Sequence, residues 1–267
     1  MKGLAVGVLA ICFIASFEAT TVTQVAVEDI VLFFPFDEGK GKVVNDQSGE
    51  GNDGTIKGNP AWVEGKSGKA LEFNATRPDF VEVPNSPSLN ITGEVTILAW
   101  IKLAEVPNQY GQIAGINKVG GQGEDAYYLN VGYWNKEHDK VSMGIIGAGK
   151  VETPLQGKTV VPKDTWTFVG GVYSPGDFMR VYINGKLDGE LKGNNVPKKI
   201  QEVLTAFTIG TIVPGADCCS FNGIIDEVVV YERALTENEI QEVMEIGPLS
   251  VTPASKLAVS WGKIKSE

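Results

Sequence analysis

Met179-Arg180-Val181-Tyr182-Ile183-Asn184-Gly185-Lys186-Leu187 is the stretch that decides the fold. Met179, Val181 and Ile183 alternate with Arg180 and Tyr182, which is the period of a half-buried strand. Asn184-Gly185 supplies two residues that tolerate positive φ, as a type I′ turn requires. The chain therefore doubles back after Ile183 as an antiparallel hairpin. Upstream, Val95 to Leu103 places Ile97, Ala99, Ile101 and Leu103 on one face and Leu98 and Trp100 on the other. A strand apolar on both faces belongs in the middle of a sheet.

Working outward, turn formers punctuate the chain at Asn45-Asp46, Gly49 to Gly54, Pro84 to Pro87, Gly120-Gly121 and Pro175-Gly176-Asp177. β-branched and aromatic runs lie between them. The 32 glycines are what many short strands and tight turns need. No helical periodicity longer than about ten residues precedes Leu235. An all-β sandwich or barrel follows. One short helix is expected over Glu237 to Glu245. Thr236 and Glu239 form its capping box, Leu235 and Ile240 its hydrophobic staple. Gly247 and Pro248 end it.

The first residues read differently. Lys2 precedes an apolar run, Leu4 to Phe17, too short to span a bilayer comfortably. This reads as an export signal over residues 1–22, which places the protein outside the cytoplasm. Residues 28–247 form the body and residues 248–267 a tail of unassigned role, with Leu257, Val259 and Trp261 in alternation. After processing only the adjacent Cys218 and Cys219 remain. They form either a vicinal disulfide or none, and no disulfide framework. A formal charge of −10 disfavours nucleic acid and anionic membranes as partners.

Eight motifs then occur in order. They are Phe34-Pro-Phe-Asp-Glu-Gly39, Asp46-Gln-Ser-Gly-Glu-Gly-Asn-Asp-Gly54, Gly68-Lys-Ala-Leu-Glu-Phe-Asn74, Phe80-Val-Glu-Val-Pro84, Thr96-Ile-Leu-Ala-Trp-Ile101, Trp166-Thr-Phe-Val-Gly-Gly-Val-Tyr173, Val181-Tyr-Ile-Asn-Gly-Lys186 and Phe221-Asn-Gly-Ile-Ile-Asp-Glu-Val-Val-Val-Tyr-Glu-Arg-Ala-Leu235. Together they resemble the LamG-like jelly-roll family of the concanavalin A-like lectin/glucanase fold. The resemblance implies two antiparallel sheets packed face to face, one of them often carrying ligands. It also implies a structural Ca²⁺, placed at Asp37, Asn74 and Asp226. Asn74 also opens an N-x-Thr sequon, as does Asn90, so glycosylation at Asn74 competes with that role.

The fold also houses glycoside hydrolases, whose chemistry needs paired carboxyls. Relatives on this fold carry Glu-x-Asp-x-Glu on one strand face. The nearest match here is Glu137-His138-Asp139, with Val141 at the next same-face position. His138 is the one histidine, and no Gly-x-Ser-x-Gly elbow is present. Gly144 to Val151 imitates a phosphate-binding loop but lacks its Ser or Thr, and Tyr127 to Val131 follows Gly121-Gln122-Gly123 as a strand rather than a helix. The expectation is a non-enzymatic binding module with no nucleotide.

Carbohydrate sites combine aromatic faces with polar side chains. Tyr110, Tyr127, Tyr128, Tyr133 and Trp134 cluster among Asn108, Gln109, Gln112, Asn130 and Asn135. Tyr128, Asn130 and Trp134 are the expected ligand-binding residues, whereas Trp62, Trp100 and Trp166 are expected in the core. The expected partner is a glycan or a cell-surface or extracellular protein. The rival readings are an adhesion domain without sugar affinity and a divergent polysaccharide hydrolase or lyase.

Overall fold

A computed structural model describes residues 27–76, 79–117, 124–133, 136–212 and 219–249. The expected signal over 1–22, Trp134, Cys218 and the tail from 250 onward lie outside the described residues. Two eight-stranded antiparallel sheets pack face to face. The first, sheet A, contains β1 (Ile30–Phe34), β4 (Ala61–Glu64), β5 (Lys69–Phe73), β7 (Val95–Leu103), β12 (Trp166–Ser174), β13 (Phe178–Ile183), β14 (Lys186–Lys192) and β16 (Gly223–Tyr231). Its order is β14-β13-β12-β7-β16-β5-β4, with β1 also paired to β16. Sheet B contains β2 (Val43–Val44), β3 (Gly54–Lys57), β6 (Phe80–Val83), β8 (Tyr110–Ile116), β9 (Tyr127–Gly132), β10 (Lys140–Gly147), β11 (Val151–Val160) and β15 (Phe207–Ile209). Its order is β11-β10-β9-β8-β15-β6-β3-β2.

The expected hairpin forms between β13 and β14, with Asn184 at φ 49 and Gly185 at φ 72. The strand Val95–Leu103 lies inside its sheet, between β12 and β16. Its residues Ile97, Ala99, Ile101 and Leu103 enter the main core between the sheets. Tyr127, Leu129 and Val131 of β9 and Val141, Met143 and Ile145 of β10 meet them there. Removing each such side chain from water contributes roughly 1.5–3 kcal/mol.

Leu98 points the other way, into a second core on the outer face of sheet A. The helix α1 (Glu237–Ile246) covers part of that face with Ile240 and Val243. Its capping box is complete: Thr236 Oγ1 accepts from the Glu239 N–H, and the Thr236 N–H donates to Glu239. Thr96 Oγ1 on β7 donates to the Arg233 carbonyl at 2.6 Å and accepts from the Leu235 N–H at 3.0 Å. Those bonds fasten the lead-in to the helix. At the far edge, Asp188 of β14 accepts from the Lys158 and Thr159 N–H groups of β11, joining the two sheets' edge strands.

Candidate functional site

The outer face of sheet B holds the residues expected to bind ligand. Strand pairing sets Gln112, Asn130, Ser142 and Gln156 opposite one another across β8, β9, β10 and β11. Directly opposed residues share a face, so these four side chains form one polar row. The next row is Gly115, Tyr128, Gly144 and Pro154. A Cβ on Gly144 would lie 2.1 Å from Cζ of Tyr128. The missing side chain at Gly144 is thus what lets the tyrosine ring lie flat on the sheet. Its hydroxyl donates to Glu152 on β11. Tyr133, just past β9, donates to the other Glu152 oxygen at 3.3 Å.

These residues differ from the expected open aromatic platform. Tyr128 is 2% exposed and Asn130 1%. Gly132, with φ 83, turns the chain at the end of β9. Glu152 is paired with Ile146, some six residues along β10 from the level of Gly132. Six residues of strand measure roughly 20 Å. Tyr133, one residue past Gly132, nevertheless reaches Glu152. Burial pushes the Tyr128 hydroxyl well above its ordinary value, and the adjacent Glu152 carboxylate adds to the shift. Burial first and Glu152 second push Tyr133 up to about 12. Both phenols therefore remain donors. Sequence reasoning missed Glu152, the acceptor that Tyr128 and Tyr133 share.

The expected metal ligands are only partly brought together. Asp37 and Asp226 meet at the Lys69 end of β5. Asp226 Oδ2 accepts from the Lys66 and Ser67 N–H groups at 2.7 and 3.2 Å, and its Oδ1 from Glu227 at 2.9 Å. Asp37 Oδ1 accepts from the Lys69 N–H at 2.9 Å. Asn74 follows the opposite end of the strand, and its Oδ1 accepts from Thr76. The strand between spans about 16 Å, so those three side chains do not fit one ion. Around Gly65, however, Asp226 Oδ2 and the Ser67 and Lys69 carbonyls all lie within 2.7 Å of where a Cβ would sit. Oxygen donors of that kind suit a hard cation. Among the described residues no three His, Cys, Asp or Glu side chains form a metal-holding group.

Asp226 also sits differently in its strand. The register shifts between Asp226 and Val229, and Glu227 lies at φ 51. This bulge turns Asp226 to the outer face beside Trp100, while Val228 and Val230 point into the main core. Burial raises the Asp226 carboxyl to about 6, against the pull of its N–H donors. Burial, then Asp226 and Asp37, raise Glu227 to about 7. Arg233 is engaged elsewhere, with Asp29 and Glu239. A cavity of about 560 Å³ opens here between sheet A and the end of α1, lined by Phe33, Asp37, Lys66, Trp100 and Glu227 among others. Trp100 walls this cavity and also packs against the second core, 5.2 Å from the Phe168 ring, with Lys66 Nζ 4.2 Å from its own ring centroid. Trp62 and Trp166 are likewise only partly buried.

Glu137 lies in the connection between β9 and β10, ion-paired with Lys140. Its carbonyl accepts from the Gln156 side chain at 2.6 Å. Cys219 is disulfide-bonded. No helix among the described residues is long and apolar enough to cross a membrane.

Two stacked antiparallel sheets with one covering helix define a jelly-roll sandwich. A family model described as the concanavalin A-like lectin/glucanases superfamily matches residues 75–241, and the chain belongs to that superfamily. No curated protein matches it. Among solved structures it is similar to the binding domain of Paraclostridial Mosquitocidal Protein 1, with TM-score 0.65 and 14% identity over 82% of this chain and 52% of that one. It is also similar to Domain 4 of AbnA, a GH43 extracellular arabinanase from Geobacillus stearothermophilus in complex with arabinotriose. That match has TM-score 0.61 and 20% identity, covering 81% of this chain and 98% of the other. A third is the Botulinum neurotoxin serotype D ligand binding domain in complex with N-acetylneuraminic acid, with TM-score 0.62 and 14% identity over 82% and 51%. The chain spans about half the length of the two toxin binding domains. At these identities the likeness is one of fold.

Proposed function

We propose that the chain is a secreted, non-catalytic binding module that engages carbohydrate or glycosylated protein through the outer face of sheet B. The observation that carries this reading is the tyrosine ring laid over Gly144 beside a four-strand polar row. An aromatic face next to fixed polar groups is how proteins hold sugars. Fold neighbours captured with arabinotriose and with N-acetylneuraminic acid support the class of ligand. The apolar run after Lys2 supports secretion. Trp134, next in the chain to Tyr133, remains part of the proposed ligand set with Tyr128 and Asn130.

A glycan array tests the proposal. Binding that disappears in Tyr128→Ala is the expected result, and silence across the array overturns it. A structural Ca²⁺ belongs to the same reading, held by Asp37 and Asp226 with the nearby carbonyls and without Asn74. It would tie the Gly65–Lys69 turn to β16. Melting with and without EDTA measures it, because an ion bound only by the native state stabilises by mass action. An unchanged melting temperature removes calcium from the proposal.

A further inference from the structure

We infer that the outer face of sheet B selects an uncharged, hydroxyl-rich ligand, using two buried amide oxygens that have no donor in the fold. The inference rests on the reading that this face is where the module binds. Gln112 and Asn130 stand opposite each other on β8 and β9 and are 0% and 1% exposed. Neither Gln112 Oε1 nor Asn130 Oδ1 has a hydrogen-bond partner.

The orientation of Gln112 follows from its other bonds. Its Nε2 donates to the Thr208 carbonyl at 3.0 Å and to Thr208 Oγ1 at 2.6 Å. The Thr208 hydroxyl in turn donates to the Thr211 carbonyl at 2.8 Å. A carbonyl only accepts, so reversing the amide would set oxygen against oxygen. Gln112 Oε1 is thereby fixed as an acceptor awaiting a donor. A buried acceptor without a donor has given up its bond to water and received nothing in return. Two such acceptors on paired residues, away from the inter-sheet core, call for O–H or N–H groups from outside the fold, from water while no ligand is bound.

On the same face, Tyr133 donates to Glu152 at 3.3 Å, and that bond is exposed, so breaking it to admit a ligand costs little. The charges nearby narrow the ligand. Glu152 adds a carboxylate at the edge. Lys57, farther along the same face, is paired with Glu82 at 3.1 Å, and Lys136 is engaged with the ring of Tyr133. A carboxylate or sulfate on the ligand would bring only acceptors to meet acceptors. Sugar hydroxyls bring donors, and Glu152 accepts from them as well.

The test is titration calorimetry of the full chain with maltotriose and xylotriose, and with sialyllactose and a sulfated trisaccharide. The neutral sugars should bind at least about tenfold tighter than the acidic ones, the discrimination expected from one unpaired buried polar contact. Asn130→Ala should weaken neutral-sugar binding about tenfold while the melting temperature holds or rises, because the deleted oxygen had no partner. Equal or tighter binding of the acidic sugars overturns the inference but leaves the binding module standing. So does neutral-sugar binding unmoved by Asn130→Ala, or a melting temperature that falls by several degrees in that variant. No binding of any sugar overturns both.

Discussion

On the outer face of sheet A, Asp226 accepts from three backbone N–H groups, two of them 159 and 160 residues away in sequence. On the outer face of sheet B, Gln112 and Asn130 are as deeply buried, yet each keeps an oxygen with no donor. The first face uses its polar group to hold a loop in place. The second holds polar groups in place by strand pairing and leaves their bonding incomplete. A buried polar atom that fastens a loop is structural. One that costs stability and fastens nothing points to a partner outside the chain.

The sharpest way to break this contrast is Asp226→Ala. It strands the Lys66 and Ser67 N–H groups together and should cost about 2–4 kcal/mol in urea unfolding. Sugar binding by sheet B should be unchanged. A cost near zero would mean that Asp226 is no anchor, and the two faces would no longer differ in kind.

Gly144→Ala probes the other face. The new Cβ collides with the Tyr128 ring at 2.1 Å, so the ring must rise from the sheet. Overpacking of this sort costs about 1–3 kcal/mol, and affinity for any sugar held by the ring should fall with it. Full affinity in this variant would show that the flat ring does not contribute to the site.

The elements that define the fold were legible because each rests on local chemistry. Asn184-Gly185 dictates its own turn, Val95–Leu103 carries its own two-faced pattern, and Thr236 with Glu239 caps its own helix. The alternation that put Tyr128 and Asn130 on one face of β9 was legible for the same reason. Their burial was not, because it depends on groups brought from other strands, such as Glu152 on β11, which accepts from the Tyr128 hydroxyl. The place of Asp226 was not legible either. The bulge at Glu227 is decided by pairing with β7, and it moves Asp226 off the face of Val228 and Val230 that simple alternation assigns. Asn74 was grouped with Asp37 by resemblance, but only the strand pairing of β5 shows that they stand at opposite ends.

A smaller effect is expected from pH in protein freed of metal. The Asp226 and Glu227 carboxyls are raised from 3.8 and 4.5 to about 6 and about 7 in the fold. Between these limits the folded chain holds protons that the unfolded chain has released. Stability is therefore greatest below the unfolded values and falls as pH rises through 6 and 7. The melting temperature at pH 8 should lie clearly below that at pH 5, and Glu227→Gln should shrink the gap. A melting temperature that climbs with pH would show that these carboxylates are stabilised by a cation still bound, which would place the structural ion beside them.

The smallest effect separates the two tyrosines on Glu152. Tyr128 donates from a buried position, and Tyr133 from an exposed one across 3.3 Å. Tyr128→Phe should cost about 1 kcal/mol, and Tyr133→Phe about 0.5 kcal/mol or less, because water replaces an exposed partner almost fully. Equal costs would mean that Tyr133 is fixed as firmly as Tyr128. The Tyr133–Glu152 bond would then be as hard to open as the one Tyr128 makes, and this face of sheet B would be as closed to outside ligands as Asp226 is on sheet A.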